Sequence, residues 1–327
     1  MAREVVLSGM QPTGKLHLGN YEGALKNWVS LQDDYDMYCC IVDWHALTSM
    51  FNETEQMKES IFEMACDYLA SGLDGEKCAI FVQSQVKEHA ELHLLFSMII
   101  PIPWLERVPS YKEKSQSLGL DSYGFLGYPL LQAADILIYR ANYVPVGKDQ
   151  VAHIELTREV ARRFNGFYRE VLPEPQAKLT KFAEVPGTDG RKMSKSYENI
   201  ISLADSPEET AGKLKTMFTD PEKLRMGDPG HPETCPVYAL HKIYTGEGLE
   251  KIAETCRSGE LGCVADKKHL TESINNTLAP VRSRRADLVS HPDVVWDVLN
   301  DGAKRARTRA QETMEMVRSA MGLIYDS

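Results

Sequence analysis

The sequence predicts an α/β fold in which a doubly wound parallel sheet is followed by a mostly helical region. Strand-length apolar runs lie at 4–9, 36–43 and 78–83. Segments with helical spacing separate these runs, and strands that alternate with helices are typical of βαβ units and a parallel sheet. Because no convincing strand follows residue 202, we expect the rest of the chain to be helical.

The other elements are assigned in chain order. The predicted helices are one that starts within 16–21 and runs to about 31, and those at 54–70, 88–140, 152–164, from 206 onward and 292–321. The long helical stretch should be interrupted at 118–129, where glycine and tyrosine residues recur. A fourth strand is expected at 142–146, and 173–190 should be a proline-rich loop.

The composition is that of a folded, acidic protein. The 327 residues carry 37 Lys+Arg and 47 Asp+Glu, a formal net charge of −10. A hydrophobic content of 43% excludes intrinsic disorder and allows about two domains with sizeable cores. The longest uncharged stretch, 92–105, contains two prolines and is too short to span a bilayer. No signal peptide fits the N-terminus, so we expect a cytoplasmic protein with reduced thiols and no membrane partner.

The first motif that carries chemistry runs from Gln11 to Asn20 and reads Gln-Pro-Thr-Gly-Lys-Leu-His-Leu-Gly-Asn. A strand ends, a turn with Pro and Gly follows, and a helix begins. The unpaired N–H groups at a helix N-terminus suit phosphate, and Gly19 lets a flat ring approach the backbone. An ordinary strand-to-helix turn with a capping residue explains the same residues, so this motif alone leaves both interpretations open.

The second motif is Lys192-Met193-Ser194-Lys195-Ser196, which follows a segment with Gly187 and Gly190. Two lysines and two hydroxyls on such a loop can surround a triphosphate and stabilise the charge that develops on leaving pyrophosphate. A short basic stretch by itself is usually a solvated loop. Its occurrence about 175 residues after the first motif is what gives it weight.

Together, the two motifs resemble the signatures of the class I aminoacyl-tRNA synthetases. His17-Leu18-Gly19-Asn20 is similar to their HIGH signature, and residues 192–196 are their KMSKS signature letter for letter. The HxGN form resembles the bacterial-type tryptophanyl-tRNA synthetases. Further stretches that agree with this family lie at 8–14, 42–48, 129–137 and 145–158, so the resemblance covers essentially the whole chain.

The resemblance implies a domain organisation and a reaction. A Rossmann-like, HUP-type catalytic domain with an internal helical insertion would span 1–200, and a helical domain that binds the tRNA anticodon would span 201–327. The enzyme would be a ligase that uses ATP and Mg²⁺ to form tryptophanyl-adenylate and then charges tRNA(Trp). It is expected to be a homodimer. Positioning and electrostatics should dominate this chemistry, because the protein itself forms no covalent intermediate.

The resemblance also assigns nucleotide-binding residues. Those at the first turn and helix are Gln11, Pro12, Thr13, Gly19 and Asn20. Those on the ribose and adenine side are Gly147, Lys148 and Asp149, with a backbone contact from Val185. Those at the phosphates are Lys192, Met193, Ser194, Lys195 and Ser196. Lys195 is the main candidate for stabilising the transition state, and Lys192 and Thr13 are the other catalytic candidates.

Tryptophan selection requires an apolar slot with an acceptor for the indole N–H. Asp135 lies on an apolar helical stretch, where an unpaired carboxylate would be costly. From the residues alone, an ion-paired or helix-capping aspartate is the favoured explanation. The resemblance instead implies that Asp135 binds the indole, and that the other pocket residues are Leu7, His45, Gln132, Val144, Val146 and Gln150.

Three of the seven cysteines form a spaced set, Cys235, Cys256 and Cys263, with 20 and 6 residues between them. Some members of the family bind a [4Fe-4S] centre with a similar pattern, but the fourth position here is Asp266. Three interpretations stay open: a vestigial site without metal, which is favoured, a cluster with three thiolates or with an aspartate ligand, and a zinc site. Cys39, Cys40, Cys66 and Cys78 are expected to be small core residues.

Two surfaces are expected to contact partners. Basic residues recur near the C-terminus at Arg282, Arg284, Arg285, Lys304, Arg305, Arg307 and Arg309. A solvated helix face is the usual explanation of such runs, but the resemblance favours a surface that faces tRNA. The uncharged stretch 92–105 is the candidate dimer interface.

Two rival functions remain open from the sequence. A tyrosyl-tRNA synthetase shares the fold and the chemistry, and Asp135 alone does not separate the two amino acids. A catalytically silent paralogue that binds RNA is a rival of a different class. The intact HxGN (17–20), GxDQ-type (147–150) and KMSKS (192–196) elements weigh against the silent paralogue.

Overall fold

The computed structural model describes residues 3–179 and 184–324, with the side chains of Lys114, Ser117, Leu118 and Asp149 outside the description. Five parallel strands form one sheet in the order β3-β2-β1-β4-β5. The strands are β1 (Val5–Met10), β2 (Asp36–Ile41), β3 (Cys78–Val82), β4 (Tyr143–Val146) and β5 (Gln176–Leu179). The doubly wound parallel sheet predicted from the sequence is therefore confirmed.

Helices connect the strands and form most of the C-terminal third. They are α1 (Leu18–Asn20), α2 (Lys26–Leu31), α3 (Asp43–Met50), α4 (Met57–Ala70), α5 (Glu88–Ser97), α6 (Ile102–Glu106), α7 (Pro109–Leu118), α8 (Tyr123–Ile138), α9 (Val151–Phe167), α10 (Pro207–Thr216), α11 (Pro236–Tyr244), α12 (Leu249–Arg257), α13 (Cys263–Ser290) and α14 (Pro292–Ala320). A π-helical turn at Tyr21–Leu25 joins α1 to α2. No helix among the described residues has the length and apolar character needed to cross a membrane.

Two elements differ from the sequence predictions. The expected interruption at 118–129 is confined to the few residues between α7 and α8, because α8 already begins at Tyr123 and includes Pro129. The expected loop at 173–190 contains β5. This strand lies at the sheet edge and is not fully buried at any position, so it lacks the apolar run that marks β1 to β4.

The core consists of two apolar layers, one on each face of the sheet, and the C-terminal helices contribute to both. One layer includes Leu270, Ile274 and Leu299 with strand residues such as Val6. The other includes Ala306 and Met314 with Phe81 and helices α8 and α9. At Gly302 a Cβ would lie 2.0 Å from the Ile80 carbonyl oxygen, so glycine allows α14 to lie directly on β3. The division into domains at 1–200 and 201–327 stays a prediction.

The strand order fixes where a ligand can bind. The chain connects outward from β1 to β2 and β3 on one side, and returns to β4 and β5 on the other. The carboxyl ends of β1 and β4 therefore lie side by side at a topological switch point, where loops diverge and leave a crevice. The first signature motif follows the end of β1, and residues 147–150 follow the end of β4.

Candidate active site

A cavity of about 760 Å³ opens at the switch point between β1 and β4. It is lined by the end of β1, the end of β4 and its loop, and one face of α8. All seven residues expected to bind tryptophan line it: Leu7, His45, Gln132, Asp135, Val144, Val146 and Gln150. Gln11, Gly147 and Lys148 from the expected nucleotide set also line it. The cavity is thus large enough for a small ligand and adjoins the predicted nucleotide turn.

Asp135 is the buried charge of this cavity. Its Oδ2 accepts a hydrogen bond from His45 Nε2 at 2.7 Å. Its Oδ1 accepts from His89 Nδ1 at 2.7 Å and from Gln83 Nε2 at 2.8 Å. A carboxylate has about four acceptor positions, so these three donors from the described residues leave one position on Oδ2. Oδ2 is the oxygen on the side of the cavity, because its donor His45 lines the cavity whereas His89 and Gln83 do not.

The charge on Asp135 is maintained despite burial. Burial by itself raises the pKa of a carboxyl group, but His45 and His89 outweigh it and hold the pKa of Asp135 well below its usual range. His89 also bonds through Nε2 to the Tyr139 hydroxyl at 2.7 Å, and burial raises the pKa of Tyr139 so that this phenol stays protonated. His89 therefore links the Asp135 carboxylate to the Tyr139 hydroxyl through its two ring nitrogens.

The sequence analysis missed several residues of this cavity. One of them is Ser110, whose Oγ lies 2.7 Å from His153 Nε2 and 2.8 Å from the Tyr128 hydroxyl, both of which also belong to cavity residues. Glu113 and Trp28 also line the cavity. Ser110 and Glu113 belong to α7, which carries no sequence motif. The supporting residues Gln83 and His89 follow β3, so only the sheet topology brings them behind Asp135.

The first signature motif forms the turn and capped helix that its pattern predicts. His17 is the N-cap of α1 and accepts from Gly19 N at Nδ1, 3.1 Å, while Asn20 Oδ1 accepts from His17 N at 3.1 Å. Burial, with a smaller effect of Lys195, lowers the pKa of His17 to about 4, so the ring is neutral and can accept. Reciprocal capping of this kind fixes the start of the helix.

Lys195 joins the second signature to the first. Its Nζ donates to the Gly14 carbonyl oxygen at 2.9 Å and to Thr13 Oγ1 at 3.3 Å. Burial lowers the pKa of Lys195 to about 8, although Asp67 acts in the opposite direction. Residues separated by 181 positions in sequence are therefore in contact, and an ammonium group lies at the turn expected to bind phosphate.

The KMSKS loop is shaped by Asn199, which the sequence analysis did not identify. Its Oδ1 accepts from Ser194 N at 2.8 Å, and its Nδ2 donates to Asp189 Oδ1 at 2.7 Å and to the Lys192 carbonyl at 3.1 Å. A Cβ at Gly187 would lie 2.3 Å from this side chain, so glycine is required there. No local pattern marks Asn199, because its partners surround it only after the loop has folded.

The other predicted nucleotide residues occupy different positions around the site. Met193 approaches Gly19, where an added Cβ would lie 3.7 Å from the Met193 Cβ. The Lys192 side chain instead is exposed, and its Nζ lies 3.5 Å from Glu184 Oε1 beside a second cavity. The Val185 carbonyl accepts from Met193 N at 2.9 Å, so it stabilises the loop itself. The Asp149 side chain lies outside the described residues. The structure thus joins Thr13 to Lys195 and brings Gly19 near Met193, whereas Lys192 lies beside Glu184.

Comparison with known proteins identifies the family. A family model described as tRNA synthetases class I (W and Y) matches residues 2–279. A tryptophan–tRNA ligase of Thermotoga maritima is 50% identical over 326 residues, which cover 98% of this chain and 99% of the relative. The chain belongs to the class I tRNA synthetases (W and Y).

Other members of the class I tRNA synthetases give the same result. A tryptophan–tRNA ligase of Aquifex aeolicus is 42% identical, with 97% of this chain and 99% of the relative covered. A crystal structure of tryptophanyl-tRNA synthetase from Campylobacter jejuni, complexed with ADP and tryptophan, superimposes with a TM-score of 0.90. That structure is 36% identical and covers 98% of this chain and 100% of its own. The family resemblance predicted from the two signatures is confirmed.

The three spaced cysteines lie near one another at the ends of helices α11, α12 and α13. Burial raises the pKa of Cys256, and the neighbouring Asp266, Cys235 and Cys263 contribute in the same direction. The fourth position holds a carboxylate rather than a thiol, and Asp266 Oδ1 lies 3.1 Å from His241 Nε2 without the geometry of a hydrogen bond. Within residues 3–179 and 184–324, no three His, Cys, Asp or Glu residues are arranged to hold one metal ion. With Asp266 in the fourth position, these residues do not supply the four thiolates usual for a [4Fe-4S] cluster, and the vestigial site stays a prediction.

We expect anaerobically purified protein to contain no stoichiometric iron or acid-labile sulfide, because the fourth position holds a carboxylate in place of the usual thiolate ligand. Chemical analysis of iron and sulfide, with absorbance near 400 nm, measures this. About four irons per chain, the content of a [4Fe-4S] cluster, would contradict the vestigial interpretation.

The basic residues near the C-terminus mostly make hydrogen bonds within the chain, and their role as a surface that faces tRNA stays a prediction. Arg284 Nε donates to the Ala70 carbonyl at 2.7 Å, and Arg309 Nε donates to that of Tyr139 at 3.3 Å. The others that bond to protein acceptors are Arg282, Arg285, Arg305 and Arg307. Lys304 is exposed. The long arginine side chains bind the C-terminal helices to α4 and the sheet, and the sequence does not reveal these distant acceptors.

Proposed function

We propose that the protein activates L-tryptophan with ATP to form tryptophanyl-adenylate and transfers the tryptophanyl group to tRNA(Trp), releasing AMP and pyrophosphate. The observation that carries this proposal is the position of Asp135. One acceptor site of a buried, charged carboxylate faces a mainly apolar cavity beside the nucleotide turn. The names of the tryptophan-specific relatives support the same amino acid.

The amino acid would lie with its indole in the apolar part of the cavity. The N–H of the indole would donate to Asp135 Oδ2, the oxygen that has a free acceptor position. His45, which already donates to that oxygen at 2.7 Å, would hold the carboxylate in the required orientation. The carboxylate of the substrate would then point toward Gln11 and the end of β1, where the first signature begins.

Activation would take place between the two signatures. An oxygen of the tryptophan carboxylate attacks the α-phosphorus of ATP, and the bond from that phosphorus to the pyrophosphate oxygen breaks. Gln11, Thr13 and Gly19 would orient the nucleotide from the first turn. Lys195, already in contact with Thr13 and Gly14, would stabilise the negative charge that accumulates on pyrophosphate. A ribose hydroxyl at the tRNA 3′ end then attacks the adenylate carbonyl, and AMP leaves.

ATP would enter with Mg²⁺, for which phosphate oxygens and waters are the usual ligands in nucleotide sites. We further propose a cytoplasmic homodimer. Leu94, Met98 and Ile102 expose apolar side chains on and after α5, within the predicted interface stretch 92–105. A second copy of the chain that packs on this face would remove these side chains from water.

ATP–pyrophosphate exchange tests the proposal without tRNA. Exchange should depend on tryptophan, and neither tyrosine nor phenylalanine should replace it at comparable concentrations. Exchange with tyrosine in place of tryptophan would favour the tyrosyl enzyme. The absence of exchange with any of the three amino acids in folded protein would contradict an activating enzyme.

The rate should depend on pH through Lys195. Since its pKa is lowered by burial to about 8, kcat/KM for ATP should fall as pH rises above 8, because only the ammonium form stabilises the phosphates. The slope should approach tenfold per pH unit, as roughly expected for one essential proton. Lys195→Arg should lose this alkaline limb, because an arginine stays charged throughout. A wild-type profile that is flat to pH 10 would contradict the assignment.

A further inference from the structure

A buried ion pair links the first signature motif to the helical C-terminal region. Asp67 on α4 has no solvent exposure, and its Oδ1 accepts from Arg285 Nε on α13 at 2.7 Å. Its Oδ2 accepts from the backbone N–H of Leu16 at 3.0 Å. Arg285 also pairs with Glu63, one turn before Asp67 on the same helix. Neither Asp67 nor Arg285 belongs to a signature motif, and the mechanism above does not use them.

We propose that Asp67 and Arg285 are positioning residues that hold the nucleotide-binding turn Thr13–Leu16, and with it Lys195, in place from α13. The proposal rests on the proposed function, since it concerns how ATP is held during that reaction. Asp67 and Arg285 would not touch the substrate. They would act through the backbone of the turn.

The contacts on either side of the turn support this role. At one end, Lys195 Nζ donates to the Gly14 carbonyl at 2.9 Å. At the other end, the Leu16 N–H is held by Asp67, while the Leu16 carbonyl accepts from Leu203 N at 2.9 Å. Loss of the Asp67 acceptor would therefore release the Leu16 end of the turn. Displacement of a positioned group by about 1 Å can cost about 100-fold in rate.

The charged groups of this arrangement also affect the pKa of Lys195. The groups that interact with the ammonium are Asp67 from α4 and His17 from the start of α1, with Arg285 and Glu63 behind Asp67. Burial lowers the pKa of Lys195, and the Asp67 carboxylate opposes this decrease. Burial also raises the pKa of Asp67, whereas Arg285 and the Leu16 amide favour its charged form. Arg285 thus helps to keep a negative charge near Lys195.

Asp67→Asn tests the proposal, because it keeps the size of the side chain but removes the charge and one of the two acceptors. We expect kcat/KM for ATP in pyrophosphate exchange to fall by about 10- to 100-fold. KM for tryptophan should stay within about twofold, since Asp67 does not line the cavity. The alkaline limb of the profile should move to lower pH, because loss of the carboxylate lowers the pKa of Lys195 further.

Arg284→Gln is the matched control. Arg284 also joins α13 to α4, through the Ala70 carbonyl at 2.7 Å, but it makes no hydrogen bond to Asp67 or to the turn. This variant should keep the wild-type kcat/KM for ATP and the wild-type pH midpoint in the absence of tRNA. Arg285→Lys retains the charge and should recover part of the activity that Arg285→Gln loses.

A merely structural role predicts a different pattern. Asp67→Asn would then lower thermal stability but leave kcat/KM for ATP and the pH midpoint of the folded variant unchanged, and this result would overturn the proposal. Equal losses in Asp67→Asn and Arg284→Gln would also overturn it. If Asp67→Asn does not fold, Arg285→Gln carries the same test. ATP affinity measured by calorimetry separates this inference from the proposed function, because it should weaken in Asp67→Asn whichever amino acid the enzyme activates.

Discussion

Lys195→Ala will lower the rate of tryptophan activation by about 100-fold or more, the usual cost of removing a group that stabilises transition-state charge. The Nζ of Lys195 lies 2.9 Å from the Gly14 carbonyl and 3.3 Å from Thr13 Oγ1, at the turn where the phosphates are expected. Its ammonium should bind the departing pyrophosphate more strongly than it binds ground-state ATP. The loss should therefore appear in kcat, with a smaller change in KM for ATP, in pre-steady-state or exchange kinetics.

Lys15→Ala provides the matched control for this change. Lys15 lies on the same turn and carries the same charge, but its side chain is exposed and is not among the residues assigned to nucleotide binding. Its removal should leave kcat nearly unchanged. An unchanged kcat in Lys195→Ala would contradict the role assigned to its ammonium. An equal loss in Lys15→Ala would indicate that general positive charge, rather than the placed ammonium, is what matters.

Asp135→Ala will raise KM for tryptophan by about 10- to 150-fold, because a buried hydrogen bond to a charged group contributes roughly 1.5–3 kcal/mol. The carboxylate oxygen that His45 orients is the proposed acceptor of the indole N–H. Discrimination against phenylalanine, which has no such donor, should decrease in the same variant. Steady-state exchange kinetics with both amino acids measure the two effects, and KM for ATP should change by only a few fold.

His89→Gln separates binding from support of the pocket. His89 donates to the other oxygen of Asp135 at 2.7 Å and does not line the cavity. This variant should therefore raise KM for tryptophan less than Asp135→Ala does. If Asp135→Ala keeps the wild-type KM for tryptophan, Asp135 is only the ion-paired helix residue that its local sequence suggests.

The elements of the fold that could be predicted are those with strong local patterns. The strands β1 to β4 are apolar runs, and α10 begins with Pro207 after the capping residue Ser206, whose Oγ accepts from Glu209 N at 3.1 Å. The edge strand β5 was missed because it is partly exposed to water and therefore lacks the apolar run by which a buried strand is recognised. The glycine and tyrosine residues at 118–129 suggested a longer interruption than the structure has. Helix α8 begins at Tyr123 and includes Pro129, since the packing of α8 against the core outweighs one missing backbone hydrogen bond.

In the candidate site, too, only residues that belong to a local sequence pattern could be predicted. The two signature motifs were recognisable because their chemistry is concentrated in a few adjacent residues, and the contact of Lys195 with Gly14 brings them together. The residues that support them were not recognisable. Gln83, His89, Asn199 and Asp67 are each joined to their partners by the fold, across separations from 5 to 218 positions. The intrachain acceptors of the basic clusters were not recognisable for the same reason, because they lie on distant elements.

Aminoacylation of tRNA(Trp) is the measurement that tests the central claim most directly, because it requires both steps of the reaction. Radiolabelled tryptophan, ATP, Mg²⁺ and a tRNA(Trp) transcript should yield acid-precipitable tryptophanyl-tRNA in an ATP-dependent reaction, and Lys195→Ala should reduce its initial rate. A tRNA(Tyr) transcript with radiolabelled tyrosine should yield none. Charging of tRNA(Tyr) with tyrosine, or folded wild-type protein that charges neither tRNA, would contradict the account.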